Sequence, residues 1–148
     1  MPSMLLERQT TVYQMDTLLG IRRQQNSECM VKTILVVEDS DALGNLLREV
    51  LQDETSCQTL LVSSAEDGLE MLQRVSPQLF VLDYCLPRMN GLEFIERVRA
   101  MEQYEQTPVL LMSAAFPQRP IAKQYLRCLP KPFDLDRLLQ TVEELLAV

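Results

Sequence analysis

Ile34-Leu35-Val36-Val37-Glu38-Asp39-Ser40 decides the fold of this chain. Four apolar residues run without a polar break, the mark of a strand buried on both faces. The run stops at two carboxylates, and Ser40 suits a helix N-cap. Leu43, Leu46, Leu47, Val50 and Leu51 then recur at helical spacing. The same unit repeats downstream. Leu60-Leu61-Val62 is a second apolar run, and Ala65 to Val75 is a helical stretch ended by Ser76-Pro77. Leu79-Phe80-Val81-Leu82 is the third run, and Asn90-Gly91 opens a helix carrying Leu92, Ile95 and Val98. Val109-Leu110-Leu111-Met112 is the fourth run, and a fifth strand is expected near Arg127–Leu129. The last helix starts with Asp134 as N-cap and is expected to bury Leu135, Leu138, Leu139, Val142, Leu145 and Leu146. This alternation predicts an α/β fold: a doubly wound, five-stranded parallel sheet with helices on both faces. Pro117 and Pro120 interrupt the connection between the fourth and fifth strands, so the helix there should be short.

Residues 31–148 make up this domain. Residues 1–30 read as an N-terminal extension, either a disordered tail or a stretch upstream of a true start at Met30. Leu5, Val12 and Leu19 recur at heptad spacing, but Arg8, Met15 and Arg22 weaken a coiled-coil reading. The charges of the extension cancel, so the formal net charge of −7 belongs to residues 31–148. An acidic chain argues against nucleic acid as a direct partner, because phosphate binding needs a basic face. Cys29, Cys57, Cys85 and Cys128 are widely spaced and suggest neither a zinc site nor a disulfide framework. The chain has no histidine, which removes the commonest general base and metal ligand. No apolar run approaches the ~20 residues of a membrane span. No secretory signal is read, so a cytoplasmic location is expected.

In a parallel sheet, ligands bind beyond the carboxyl ends of the strands. Glu38 and Asp39 follow the first strand, Asp83 the third, Ser113 the fourth and Lys131-Pro132 the fifth. All of these side chains should emerge on one edge. Two carboxylates ~4 Å apart repel by about 4 kcal/mol at an effective dielectric of 20. Three together call for a cation, and oxygen-only ligands of high charge select a hard ion such as Mg²⁺. A carboxylate beside Mg²⁺ and an ammonium is set up as a nucleophile toward phosphorus. Taken singly, each feature has a plainer reading: a helix N-terminal turn, a cap, a Lys-Pro turn. Their joint occurrence at successive strand ends favours the functional one.

The motifs resemble those of a known family. Val31 to Ser40 is similar to the opening of a response-regulator receiver domain. Asp83-Tyr84-Cys85-Leu86-Pro87-Arg88-Met89-Asn90-Gly91 resembles that family's phospho-acceptor loop. Met112-Ser113-Ala114 and Leu129-Pro130-Lys131-Pro132-Phe133 resemble its last two motifs. The resemblance implies a flavodoxin-like fold of the receiver type. It implies phosphorylation of Asp83 by a phosphohistidine on a sensor histidine kinase or a histidine phosphotransfer protein. Asp39 would hold Mg²⁺ directly, Glu38 through water, and Asp83 and the backbone carbonyl of Cys85 would complete the protein ligands. Ser113 would hydrogen-bond the phosphoryl group, Lys131 would pair with it, and the Lys131–Pro132 bond would be cis.

Two features depart from the family. Cys128 stands where an aromatic switch residue is usual, and a thiol is small and buries readily. The connection from Ser113 to Lys131 is also short. The expected function is a stand-alone receiver, not a turnover enzyme, monomeric or weakly dimeric, signalling to an unknown output protein by phosphorylation-dependent contact. An alternative is a receiver-fold adaptor with altered or phosphorylation-independent output. An aspartate-nucleophile phosphatase would carry a second Asp two residues after the nucleophile, where this chain has Cys85.

Overall fold

Each apolar run forms a strand in a computed structural model of the chain, which describes residues 31–116 and 125–147. The strands are β1 (Thr33–Val37), β2 (Gln58–Val62), β3 (Leu79–Asp83), β4 (Val109–Ser113) and β5 (Leu126–Pro130). All pair in parallel, in the order β2-β1-β3-β4-β5. The order reverses between β1 and β3, which is where an open α/β sheet leaves a crevice at its carboxyl edge. The helices are α1 (Asp41–Glu54), α2 (Ala65–Met71), α3 (Gly91–Arg99) and α4 (Leu135–Leu146). Lys32–Val148 form one unit. The expected extension over residues 1–30 and the short helix expected around Pro117 and Pro120 lie outside the described residues. Among those described, no helix is long and apolar enough to cross a membrane.

Strand residues alternate between two cores, because successive side chains point to opposite faces. Ile34, Val36, Val81, Leu110, Met112 and Leu129 face α1 and α4, where they meet Leu47, Leu51, Leu138, Val142 and Leu145. Leu35, Val37, Phe80, Leu82, Val109 and Leu111 face the other way, onto Ala65 of α2 and Phe94, Ile95 and Val98 of α3. Burying a side chain of this size is worth about 1.5–3 kcal/mol. On the second face Phe80 packs edge-on against Phe94 and Tyr104, with centroids 5.6 and 5.5 Å apart.

The helices begin as expected. Ser40 caps α1, Asn90 forms a capping box with Glu93, and Asp134 caps α4. Three expectations are corrected. The stretch from Ala65 to Val75 is helical only to Met71. Leu72, Gln73 and Arg74 then donate to carbonyls three residues back, which tightens the final turn. Leu135 is 38% exposed, because the first residue of α4 turns away from the sheet, while Leu139 and Leu146 are only half-buried. Cys128 does not bury: it is exposed on the edge strand β5, although what burial its sulfur has pushes the thiol pKa up.

Arg99, at the end of α3, closes the far edge of the sheet. Its guanidinium donates to the carbonyl oxygens of Tyr104 (2.7 Å), Thr107 (2.6 Å) and Tyr125 (3.4 Å). Tyr125 has φ 62° and leads into β5, and its carbonyl also accepts from Val109 N–H at 2.8 Å.

Candidate functional site

Strand register builds the site. Val37 of β1 pairs with Val62 and Leu82, so the residues after it stand level with the end of β3. Glu38 N–H continues the ladder to the carbonyl of Val62 at 3.1 Å. Asp83 pairs with Met112, and Ser113 with Pro130. Lys131 N–H donates to the carbonyl of Ser113 at 2.8 Å, so the last strand delivers Lys131 beside the end of β4.

The expected side chains converge there. Ligand oxygens of Glu38, Asp39 and Asp83 all lie within 4.8 Å of one another. Asp39 is exposed, whereas Glu38 and Asp83 are buried. The Lys131 ammonium lies 3.2 Å from Glu38 Oε1 and 3.5 Å from Asp83 Oδ1. Ser40 N–H donates to Glu38 Oε2 at 3.1 Å, and Cys85 N–H donates to Asp83 Oδ1 at 3.3 Å. Burial, with Asp83 close by, raises the Glu38 pKa, while the Ser40 N–H and Lys131 oppose the shift. Three carboxylates against one ammonium leave two negative charges in excess. A hard divalent ion matches that excess and the all-oxygen donor set. Sequence reasoning assigned Lys131 to an incoming phosphoryl group. Its nearer partner here is Glu38.

Ser113 is buried at the end of β4, and its Oγ accepts from Ala115 N–H at 3.0 Å. The Lys131–Pro132 bond is cis. The loop from Asp83 to α3 is tightly made. Tyr84 N–H donates to Met112 and Gly91 N–H returns to the carbonyl of Tyr84. Arg88 in this loop adopts φ 65° and pairs with Glu66 of α2 at 3.6 Å, a contact the sequence did not disclose. Cys85 is exposed, two residues after Asp83. A groove of about 680 Å³ lies on the opposite edge, lined by Gln78, Tyr104 and Leu146 among others, and shares no residue with the carboxylate cluster.

The response regulator receiver domain matches residues 34–143. The chain belongs to that family. This receiver is 38% identical over 92 residues to the Regulator of RpoS of Escherichia coli K12. That match covers 62% of the receiver chain and 26% of the relative, so the chain spans about a quarter of that protein. Among solved structures it resembles the chemotaxis response regulator CheY4 of Vibrio cholerae, with a TM-score of 0.69 and 25% identity. That likeness covers 78% of this chain and 99% of CheY4. The receiver domain of the sensor histidine kinase PA1611 of Pseudomonas aeruginosa PAO1 has the same fold, with a TM-score of 0.71 at 20% identity. It covers 80% of this chain and all of that domain, which was solved with a magnesium ion in its active site cleft. The five-stranded, doubly wound sheet is thus the receiver version of the flavodoxin-like fold, and the chain is a two-component signalling receiver.

Proposed function

We propose that Asp83 accepts a phosphoryl group from a phosphohistidine of a sensor histidine kinase or histidine phosphotransfer protein. The phosphorylated form then signals through contact with an output protein, as a stand-alone cytoplasmic unit. The observation that carries this reading is the buried Asp83 carboxylate, with two further carboxylates and the Lys131 ammonium within a few ångströms. In the transfer, the P–N bond of the donor breaks and a P–O bond to the Asp83 carboxylate forms. The imidazole leaves with the bonding electron pair and takes up a proton from water. Mg²⁺, held by Asp39, Asp83, the Cys85 carbonyl and, through water, Glu38, would offset charge on the transferring oxygens. Cys85 N–H fixes the Asp83 carboxylate, and Ser113 Oγ and Lys131 lie at the adjacent strand ends to meet the phosphoryl oxygens.

The exposure of Cys128 favours a second reading of the output step. With a thiol on the outside of β5, no ring at that position can turn inward, and the contact face would be set elsewhere. The test of the acceptor is direct. An acyl phosphate with Mg²⁺ should add one phosphoryl group by intact mass, and Asp83→Asn should abolish it. Equal labelling of the variant would move the site.

A further inference from the structure

We infer that the outer edge of β2 is a docking edge for an extended segment of a partner protein, one in which basic side chains alternate with apolar ones. β2 has one strand neighbour, β1, so its other edge is open among the described residues. The ladder to β1 uses alternate residues: Gln58 N–H donates to the carbonyl of Lys32, and Glu38 N–H donates to that of Val62. The main-chain groups of Thr59 and Leu61, between them, therefore point outward. The Gln52 side chain, in the last turn of α1, meets Thr59 N–H at 3.3 Å. Leu61 N–H has no such partner among the described residues. Natural sheet edges are commonly blunted by proline or by charge. The other edge strand, β5, carries Arg127 and ends in Pro130. β2, Gln58-Thr59-Leu60-Leu61-Val62, has neither device.

The open stretch borders a cleft of about 390 Å³. Half-buried Leu61, Val62 and Met71 give it an apolar lining, and exposed Asp41, Asp67 and Glu70 stand along it. Arg74 also lines the cleft, but it pairs with Glu70 at 3.7 Å. Asp41 and Asp67 are left without a basic partner among the described residues. An added strand bonds through its main chain and turns alternate side chains to opposite faces. Apolar side chains would then meet Leu61 and Met71, and cations would answer Asp41 and Asp67. A second copy of β2 suits the edge less well, because it brings no cation and carries the same acidic rim. Glu38 lines the cleft too, so a segment seated on β2 would abut the carboxylate cluster without occupying it. Docking of this kind needs no phosphoryl group, and it is tested on the unphosphorylated chain.

The probe is a blocked octapeptide of alternating valine and lysine, with a valine–glutamate octapeptide as its counterpart. Each is titrated into the full chain at low ionic strength and followed by amide NMR. The valine–lysine peptide should shift the signals of Thr59 to Ser63 and protect Leu61 N–H from exchange, and the valine–glutamate peptide should leave them in place. Asp41→Asn combined with Asp67→Asn should weaken the valine–lysine peptide about tenfold, the loss of two exposed charge pairs. Added salt should weaken binding to the unsubstituted chain in the same direction. No binding, equal binding of both peptides, or shifts centred on β5 or on another face overturns the proposal. So does a dimer, seen by sedimentation equilibrium without peptide, in which Leu61 N–H is already protected. Should the double variant not fold, the two peptides decide between them.

Discussion

A Cβ on Gly91 would lie 2.7 Å from the main-chain oxygen of Asp83. The same atom would meet Leu111 Cδ1 at 2.8 Å and Tyr84 Cα at 3.0 Å. Two of the three neighbours are backbone and cannot turn aside. The start of α3 therefore presses directly on the end of β3 that carries Asp83. Gly91→Ala should cost about 1–3 kcal/mol in urea unfolding, the usual range for overpacking. It should also slow phosphorylation of Asp83 by a small donor, since the strand end carrying the carboxylate must shift. Unchanged stability together with an unchanged rate would show that the contact yields freely.

Mg²⁺ should stabilise the folded chain, because it relieves repulsion among Glu38, Asp39 and Asp83 and binds the native state preferentially. At a hundredfold excess over its dissociation constant the gain is about 2.7 kcal/mol. Asp39→Ala should remove most of the effect, as Asp39 is the exposed member of the cluster. Thermal midpoints with and without millimolar Mg²⁺ make the comparison. A midpoint that ignores the ion would count against a preformed site.

Leu46 and Leu47 are neighbours on α1 with opposite fates: Leu46 is 43% exposed and Leu47 is fully buried between α1 and the sheet. Leu47→Ala should destabilise by about 2–5 kcal/mol through lost burial and a residual cavity. Leu46→Ala should stay within about 0.5 kcal/mol, as for most surface changes. Chemical denaturation of both variants tests the assignment, and similar losses would place α1 in the wrong rotation.

The Cys128 thiol has its pKa raised by partial burial. A raised value means the folded chain holds the thiol proton to higher pH than the unfolded chain does. The thiolate is the reactive form. Alkylation of Cys128 should therefore rise with pH along a curve displaced upward from that of the urea-unfolded chain, as read by peptide mass mapping. Any stability linked to this proton is present below the unfolded thiol pKa and is lost as pH climbs through the folded one. Superimposed curves would remove the effect.

The strands and the site were legible for one reason. In a buried parallel sheet the central strands are apolar runs, as β1, β3 and β4 are here, and whatever ends such a run lies on the carboxyl edge. Ile34 to Asp39 and Leu79 to Asp83 carry both signals in a few residues. Caps at Ser40, Asn90 and Asp134 were equally local. Rotational exposure was less legible, since Leu135 fits the apolar period of α4 yet sits on its outward first turn. The partner of Lys131 was not legible at all. Sequence order brings the ammonium to the right edge, but the choice of Glu38 at 3.2 Å over Asp83 at 3.5 Å is decided by side-chain reach. Arg99 was missed for a similar reason. A basic residue in the last turn of a helix ordinarily reads as solvated, and its acceptors lie as far as 26 residues away.

Arg99 also shapes what drift the far edge can tolerate. Its three acceptors are main-chain oxygens, which every amino acid carries. The identities of Thr107 and Tyr125 are therefore irrelevant to the bond itself, and relatives can exchange both without loosening the fastening. Position 125 has one added bias, since its left-handed backbone suits Gly or Asn better than a bulky residue. Position 99 has no such latitude: a lysine carries one nitrogen instead of a fork, and reaches fewer of the three oxygens at once. Substitutions in a lineage should thus accumulate around an unchanging arginine.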